Sequence, residues 1–196
     1  VGAVDTPVLV FAGGYDDEQD KIEILNRKKA EGSIAESNWA EDSHGNALYI
    51  VNAVTGQLIW SASTASSNSP ALAHQQLTKM RYSMPSSVRV IDINRDGLAD
   101  QFFVGDMGGQ VWRFFINNGN TVDALISPLD SGTGTTDDGV FANIIAADSG
   151  TETTTQKQAK LRRFYNEPDV SLLTVNAGKS LIVSIGSGYR GHPLDT

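Results

Sequence analysis

The stretch DINRDGLAD, Asp92 to Asp100, sets three aspartates and an asparagine at alternate positions around one glycine. Carboxylates this close repel each other, and a cation would offset the repulsion. Asp92, Asn94 and Asp96 stand at positions 1, 3 and 5 of a calcium-loop spacing. Gly97 falls at position 6, where the chain must turn sharply, the Leu98 carbonyl at position 7 and Asp100 at position 9. Calcium takes about six to eight hard oxygen ligands in a forgiving geometry, so alternate residues of one tight loop can converge on it. Position 12 is Phe103, so the bidentate glutamate of an EF-hand is missing, and the flanking residues read as strands rather than helices. The expected site is an EF-hand-like loop on a sheet, with water or distant groups completing the shell. Its affinity should be modest, roughly between the micromolar range of sensors and the millimolar range of extracellular modules. Magnesium suits the loop less well because it keeps its waters. A run of Asx turns without metal is the alternative reading.

Other chemistry has little support. The chain has no cysteine, which excludes a disulfide framework, a thiolate metal site and a cysteine nucleophile. His44, His74 and His192 are far apart in sequence and read as surface or hydrogen-bonded polar residues. No G-x-S-x-G elbow and no phosphate loop occurs, and no acid–base pair stands out, so an enzyme is not expected.

At 196 residues the chain is long enough for one domain with a real core. Its 40% hydrophobic and 19% charged residues fit a folded chain. A net charge of −8 argues against nucleic acid and against anionic membrane surfaces. No apolar run is long enough to span a membrane as a helix. The opening VGAVDTPVLVFAGG reads like the middle of something, which suggests a segment of a longer protein with its targeting signals elsewhere.

Short runs rich in Val, Ile, Phe and Trp, bounded by Gly, Asn and Asp, predict strands. They cover Pro7–Gly14, Asn46–Ala53, Gln57–Ser63, Ser86–Ile93, Asp100–Asp106, Gly109–Ile116, Val140–Ala147, Asp169–Val175 and Lys179–Gly188. NAVTG makes a tight turn, with Gly56 free to take a positive φ. Ser69–Met80 reads as a short helix, with Ser69 as N-cap and Pro70 in the first turn, and Asp17–Gly32 holds a turn or two of helix. Insertions are expected near 16–43, 64–80, 117–138 and 148–162.

PVLVFAGGYD, DQFFVGDMGG and SLIVSIGSGY share one plan: an apolar strand, then glycines. Repeated short antiparallel strands with periodic Gly and Trp are the mark of propeller blades. The expected fold is all-β, with antiparallel four-stranded blades in a partial ring and short helical insertions. Residues 1–196 would form about two blades plus flanking strands of one β-propeller domain, with Ser86–Ala147 as the complete blade. Trp60 and Trp112, at matching places in their strands, would be core between blades. A β-sandwich is the alternative.

The segment MRYSMPSSVRVIDINRDGLADQFFVGDMGGQVWRFFI, Met80–Ile116, resembles the PilY family, the calcium-binding tip and biogenesis proteins of bacterial type IV pili. GNALYIVNAVTGQLIWS, FYNEPDVSLL and IGSGYRGHPLDT resemble other parts of that family's C-terminal propeller, which is quinoprotein-like. The resemblance implies Ca²⁺ at Asp92, Asn94, Asp96, Leu98 (by its carbonyl) and Asp100. It also implies control of pilus extension against retraction, twitching motility and adhesion. The implied partners are minor pilins or the tip complex, with any host surface met through regions outside this segment. The implied place is the cell surface at the pilus tip, reached by export across the outer membrane. Two other likenesses remain open. DINRDGLADQFFVGDMGG is similar to integrin-type FG-GAP repeats, and ALYIVNAVTGQLIWS is similar to quinoprotein dehydrogenase repeats, whose quinone pocket an incomplete ring cannot build.

Overall fold

Leu48, Ile50, Trp60 and Ala62 alternate along two strands, and Phe102, Val104, Trp112 and Phe114 do so along two others. A period of two puts each set on one face of its sheet, and burying those faces against each other makes the core. The computed structural model describes residues 5–20, 42–65, 73–129, 139–144, 162–175, 178–188 and 190. Within them the fold is all-β and mostly antiparallel, in three sheets.

The first sheet orders β1 (Val8–Ala12), β2 (Ala47–Asn52), β3 (Leu58–Ser63) and β4 (Ala73–Gln76). The central sheet orders β5 (Arg89–Ile91), β6 (Gln101–Gly105), β7 (Gln110–Ile116) and β8 (Ile126–Pro128), with β9 (Val140–Asn143) also paired to β7. The third pairs β10 (Asp169–Val175) with β11 (Gly178–Ser184). A turn of 3-10 helix at Glu18–Asp20 and a four-residue helix α1 (Val122–Leu125) are the helical pieces described. The sheets form no closed ring among the described residues.

Trp60 reaches from the first sheet and meets Phe102 and Phe114 edge-on, at 6.1 and 5.7 Å between centroids. Phe102 and Phe114 stack at 4.8 Å, and Trp112 lies parallel to Phe114. Both tryptophans are buried between sheets, as their matching positions implied. The match runs deeper. In β2–β3 the turn opens with Asn52, whose Oδ1 accepts Val54 N and Thr55 N, and closes with Gly56 at φ 71°. In β6–β7 it opens with Asp106, whose Oδ1 accepts Gly108 N and Gln110 N, with Gly109 at φ 81°. Trp60 lies opposite Ile50 and Trp112 opposite Val104, and Ile50 and Val104 each stand two residues before the Asx that opens the turn.

Two segments correct the expectations. Ala73–Gln76, inside the segment read as a helix, is a strand, and it runs parallel to β3, not antiparallel. Its polar side chains find acceptors on the sheet that a helix would not offer. His74 Nε2 donates to Ala65 O and its Nδ1 takes Ser61 Oγ, while Gln75 and Gln76 donate to Ile126 O and Thr64 O. Tertiary contacts of this kind override a weak helix propensity. The first sheet therefore holds four strands. The span 117–138 is not wholly an insertion, because Ile126–Pro128 pairs with β7 and buries Ile126. Of the helix read at Asp17–Gly32, the described part is the 3-10 turn; the remainder, and nearly all of 148–162, lie outside the described residues.

Gly108 sits under the Tyr82 ring, where a Cβ would run into the ring carbons, and Tyr82 is itself buried. Gly108→Ala should therefore lower stability by about 1–3 kcal/mol. Gly186→Ala, where a Cβ meets nothing, should change it by less than about 0.5 kcal/mol. Denaturant midpoints of the two variants against the parent check this.

Candidate metal centre

The Asp92–Asp100 segment connects β5 to β6 on the edge side of the central sheet. Aspartate and asparagine side chains bond nearby backbone N–H groups readily, and here they do so along the whole loop. Asp92 accepts Arg95 N at 2.6 Å on Oδ1 and Gly97 N at 2.9 Å on Oδ2. Asn94 Oδ1 accepts Asp96 N, Asp96 Oδ1 accepts Leu98 N, and Asn94 Nδ2 donates to Asp96 Oδ2 at 3.0 Å. Asp100 reaches back, its Oδ2 accepting Ile93 N at 2.6 Å and Asn94 N at 3.3 Å. Arg95 at φ 66° and Gly97 at φ 88° provide the two left-handed residues that fold the loop over. The backbone of Asp100 belongs to the sheet, its N–H on Ile91 O and its carbonyl accepting Ile116 N.

All five residues expected to bind calcium thus lie in one closed loop. Their donors are oxygen only, which suits a hard cation and not zinc or copper. The mutual repulsion of the carboxylates is met by backbone N–H groups. Among the described residues no three His, Cys, Asp or Glu side chains gather on one centre. The hydrogen bonds leave donor capacity, since a carboxylate offers about four lone-pair sites and Asp92 has one N–H on each oxygen.

Two acidic groups that sequence reasoning passed over are better buried. Asp106 is fully buried at the other end of β6. Its Oδ1 accepts Gly108 N and Gln110 N, and its Oδ2 accepts Gln110 Nε2 and Trp112 Nε1, all at 2.8–2.9 Å. An aspartate at the end of an apolar strand, followed by two glycines and a tryptophan six residues on, was the signal available. The other group is a cluster around Asp20. Tyr15 and Tyr165 hydroxyls donate to it, and Arg163 lies 3.2 Å from its Oδ1 while donating to Gln19 O. Burial and the Asp20 carboxylate push the Tyr15 hydroxyl up to about 12 and raise that of Tyr165. Gln19 extends the cluster to the buried Asp42, which also accepts Ser83 N. The segment before β10 is thereby fastened to residues next to β1. His44 sits beside Asp16, His74 within the first sheet, and His192 outside the described residues.

No protein-family model matches the chain, and no curated protein sequence matches it. Among solved structures it is similar to one titled "Crystal structure of Pseudomonas aeruginosa PilY1 C-terminal domain", with 22% identity and a TM-score of 0.41. The similarity covers 72% of this chain and 26% of that one, so the chain spans about a quarter of that structure's length.

Burial pushes the Asp106 carboxyl up to about 7 from 3.8, against the lowering effect of its four N–H donors. A raised folded value means the folded state holds the proton more tightly. The stability Asp106 contributes is then complete below about pH 4 and is lost as pH rises through 7. The ¹³C resonance of its carboxyl carbon should titrate with a midpoint near 7. A midpoint near 4 would mean that the four donors outweigh burial.

Proposed function

We propose that this chain is a calcium-binding segment of a β-propeller in a surface protein of the type IV pilus system. The observation that carries the reading is the closed loop Asp92–Asp100, with oxygen donors only, held between two neighbouring strands. Asp92, Asn94, Asp96, the Leu98 carbonyl and Asp100 would hold the ion. Bound calcium would supply the positive charge that three neighbouring carboxylates call for, and would fix the loop to the start of β6. Asp100 is the coupling residue, because its side chain closes the loop while its backbone bonds both β5 and β7.

The propeller reading is supported by the row of three sheets and by the outer face of the first, where Leu9 and Phe11 remain exposed. An apolar sheet face of that kind suits a further blade. The pilus assignment rests on the sequence resemblance of Met80–Ile116 and of the closing GSGYRGHPLDT. On that reading the role is binding rather than catalysis. Calcium would bias the pilus between extension and retraction, and minor pilins or the tip complex would be the partners.

Calorimetric titration should give one calcium per chain with a dissociation constant roughly between 10⁻⁶ and 10⁻³ M, and no stoichiometric zinc. Asp100→Ala should weaken calcium at least about tenfold, or about 1.4 kcal/mol, with the circular dichroism unchanged. In the intact protein the same substitution should shift pili toward retraction. An absent calcium heat would remove the metal assignment. Lost binding with unchanged surface piliation would make the ion structural and remove the regulatory role.

A further inference from the structure

The central sheet has two unlike faces. Phe102, Val104, Trp112 and Phe114 point into the core, so Gln101, Phe103, Arg113 and Phe115 share the opposite face. The pairing Arg89↔Phe103↔Arg113 sets two arginines on that face, one on each side of a buried phenylalanine. Their surroundings differ. Arg89 Nη1 donates to Glu167 at 3.2 Å and its Nη2 to Asp169 at 3.0 Å, so both ends of its fork are paired with carboxylates from the segment entering β10.

Among the described residues Arg113 has no such partner. Its Nε donates to Gln101 Oε1 at 3.0 Å. Its guanidinium lies 4.8 Å from the Phe115 ring centroid, 5.6 Å from Phe103 and 5.8 Å from Phe141. No hydrogen bond or ion pair reaches Nη1 or Nη2 among the described residues. Neither nitrogen is among the buried polar atoms without a partner, so water reaches them. Burial lowers the guanidinium's hold on its proton, and no carboxylate charge beside it acts in the other direction. In an acidic chain, a half-buried guanidinium walled by three aromatic rings has left a planar fork open.

We propose that Arg113, with Phe115 and Phe141 as walls, is a receptor for a carboxylate carried next to an aromatic or aliphatic side chain on a partner peptide. The chemistry selects that occupant. Two coplanar N–H donors match a carboxylate in a bidentate pair. One guanidinium balances one negative charge, whereas a phosphate dianion would ask for more cations than this face offers. The rings exclude water from the pair and give an apolar neighbour something to cover, Phe141 being 41% exposed. Arg89, on the same face, already has carboxylates within the chain, Glu167 on Nη1 and Asp169 on Nη2. This inference is independent of the calcium reading, because the two sites share no residue.

The test is a titration of the whole chain with N-acetylphenylalanine, followed through the Arg113 Nε–H and Phe141 ring resonances. Saturable shifts at both are expected. N-acetylphenylalanine amide, which lacks the charge, should leave them in place. Arg113→Lys should weaken binding about tenfold, because it keeps the charge and loses the fork, and Arg113→Gln should abolish it. Phe141→Leu, at an exposed position, should weaken binding with the Trp60 and Trp112 indole signals unmoved, and it serves if the arginine variants fail to fold. Equal binding of the amide, undiminished binding by Arg113→Gln, or equal shifts with inorganic phosphate would each overturn the proposal.

Discussion

The Asp106 carboxylate is fully buried, makes no ion pair among the described residues, and is the interaction on which the joining of the three sheets depends. Its two oxygens collect the hairpin turn, the Gln110 side chain and the indole of Trp112. Its main-chain carbonyl accepts Phe164 N from the segment that leads to the third sheet. Next to it, Met107 N bonds Ser83 O and Gln110 Nε2 bonds Lys79 O, in the segment that arrives from the first sheet. Met84 in that segment bridges Gly14, which continues β1. One turn thus touches the approach to every sheet. A buried polar group is costly unless satisfied, and when satisfied it admits few alternative arrangements.

β6 carries an aspartate at each end, and the two do opposite things. Asp100 is half-buried at the end of its loop, accepts local backbone donors and retains lone pairs that a cation could use. Asp106 is sealed and spends its capacity on N–H groups from its own hairpin. Between them lie five buried residues, Gln101 to Gly105, packed on both faces. A stiff strand anchored by Asp106 gives the loop a fixed platform. Ordering of the loop by calcium would then be felt at the sheet edge near β5, while the core stays as it is.

Much of this was legible in the residues. The alternation of apolar side chains gave the strands of the core, and the recurring apolar strand followed by glycines, with Trp60 and Trp112 at matching places, marked the repeat. The loop's closure follows from aspartates at alternate positions, which bond the backbone whether or not a metal is present. Ala73–Gln76 reads as helix because its helix signals are local, whereas the hydrogen-bond partners of His74, Gln75 and Gln76 come from β3, the residues following it and β8. Asp106 passed unnoticed because an aspartate beside glycines suggests an exposed turn. Burial there comes from Tyr82 lying on Gly108 and from Phe164 lying on Gly105, contacts that no local pattern reveals. The fastening of Arg163 and Tyr165 to Asp20 bridges more than a hundred residues of sequence and is invisible for the same reason.

Diffraction from crystals of the chain grown with calcium chloride tests the central claim most directly. The account predicts one ion in the Asp92–Asp100 loop, ligated by oxygens of Asp92, Asn94, Asp96, Leu98 and Asp100, with the Asp106 network unchanged and free of metal. A loop that keeps only its backbone hydrogen bonds at saturating calcium, or an ion bound elsewhere, would contradict it.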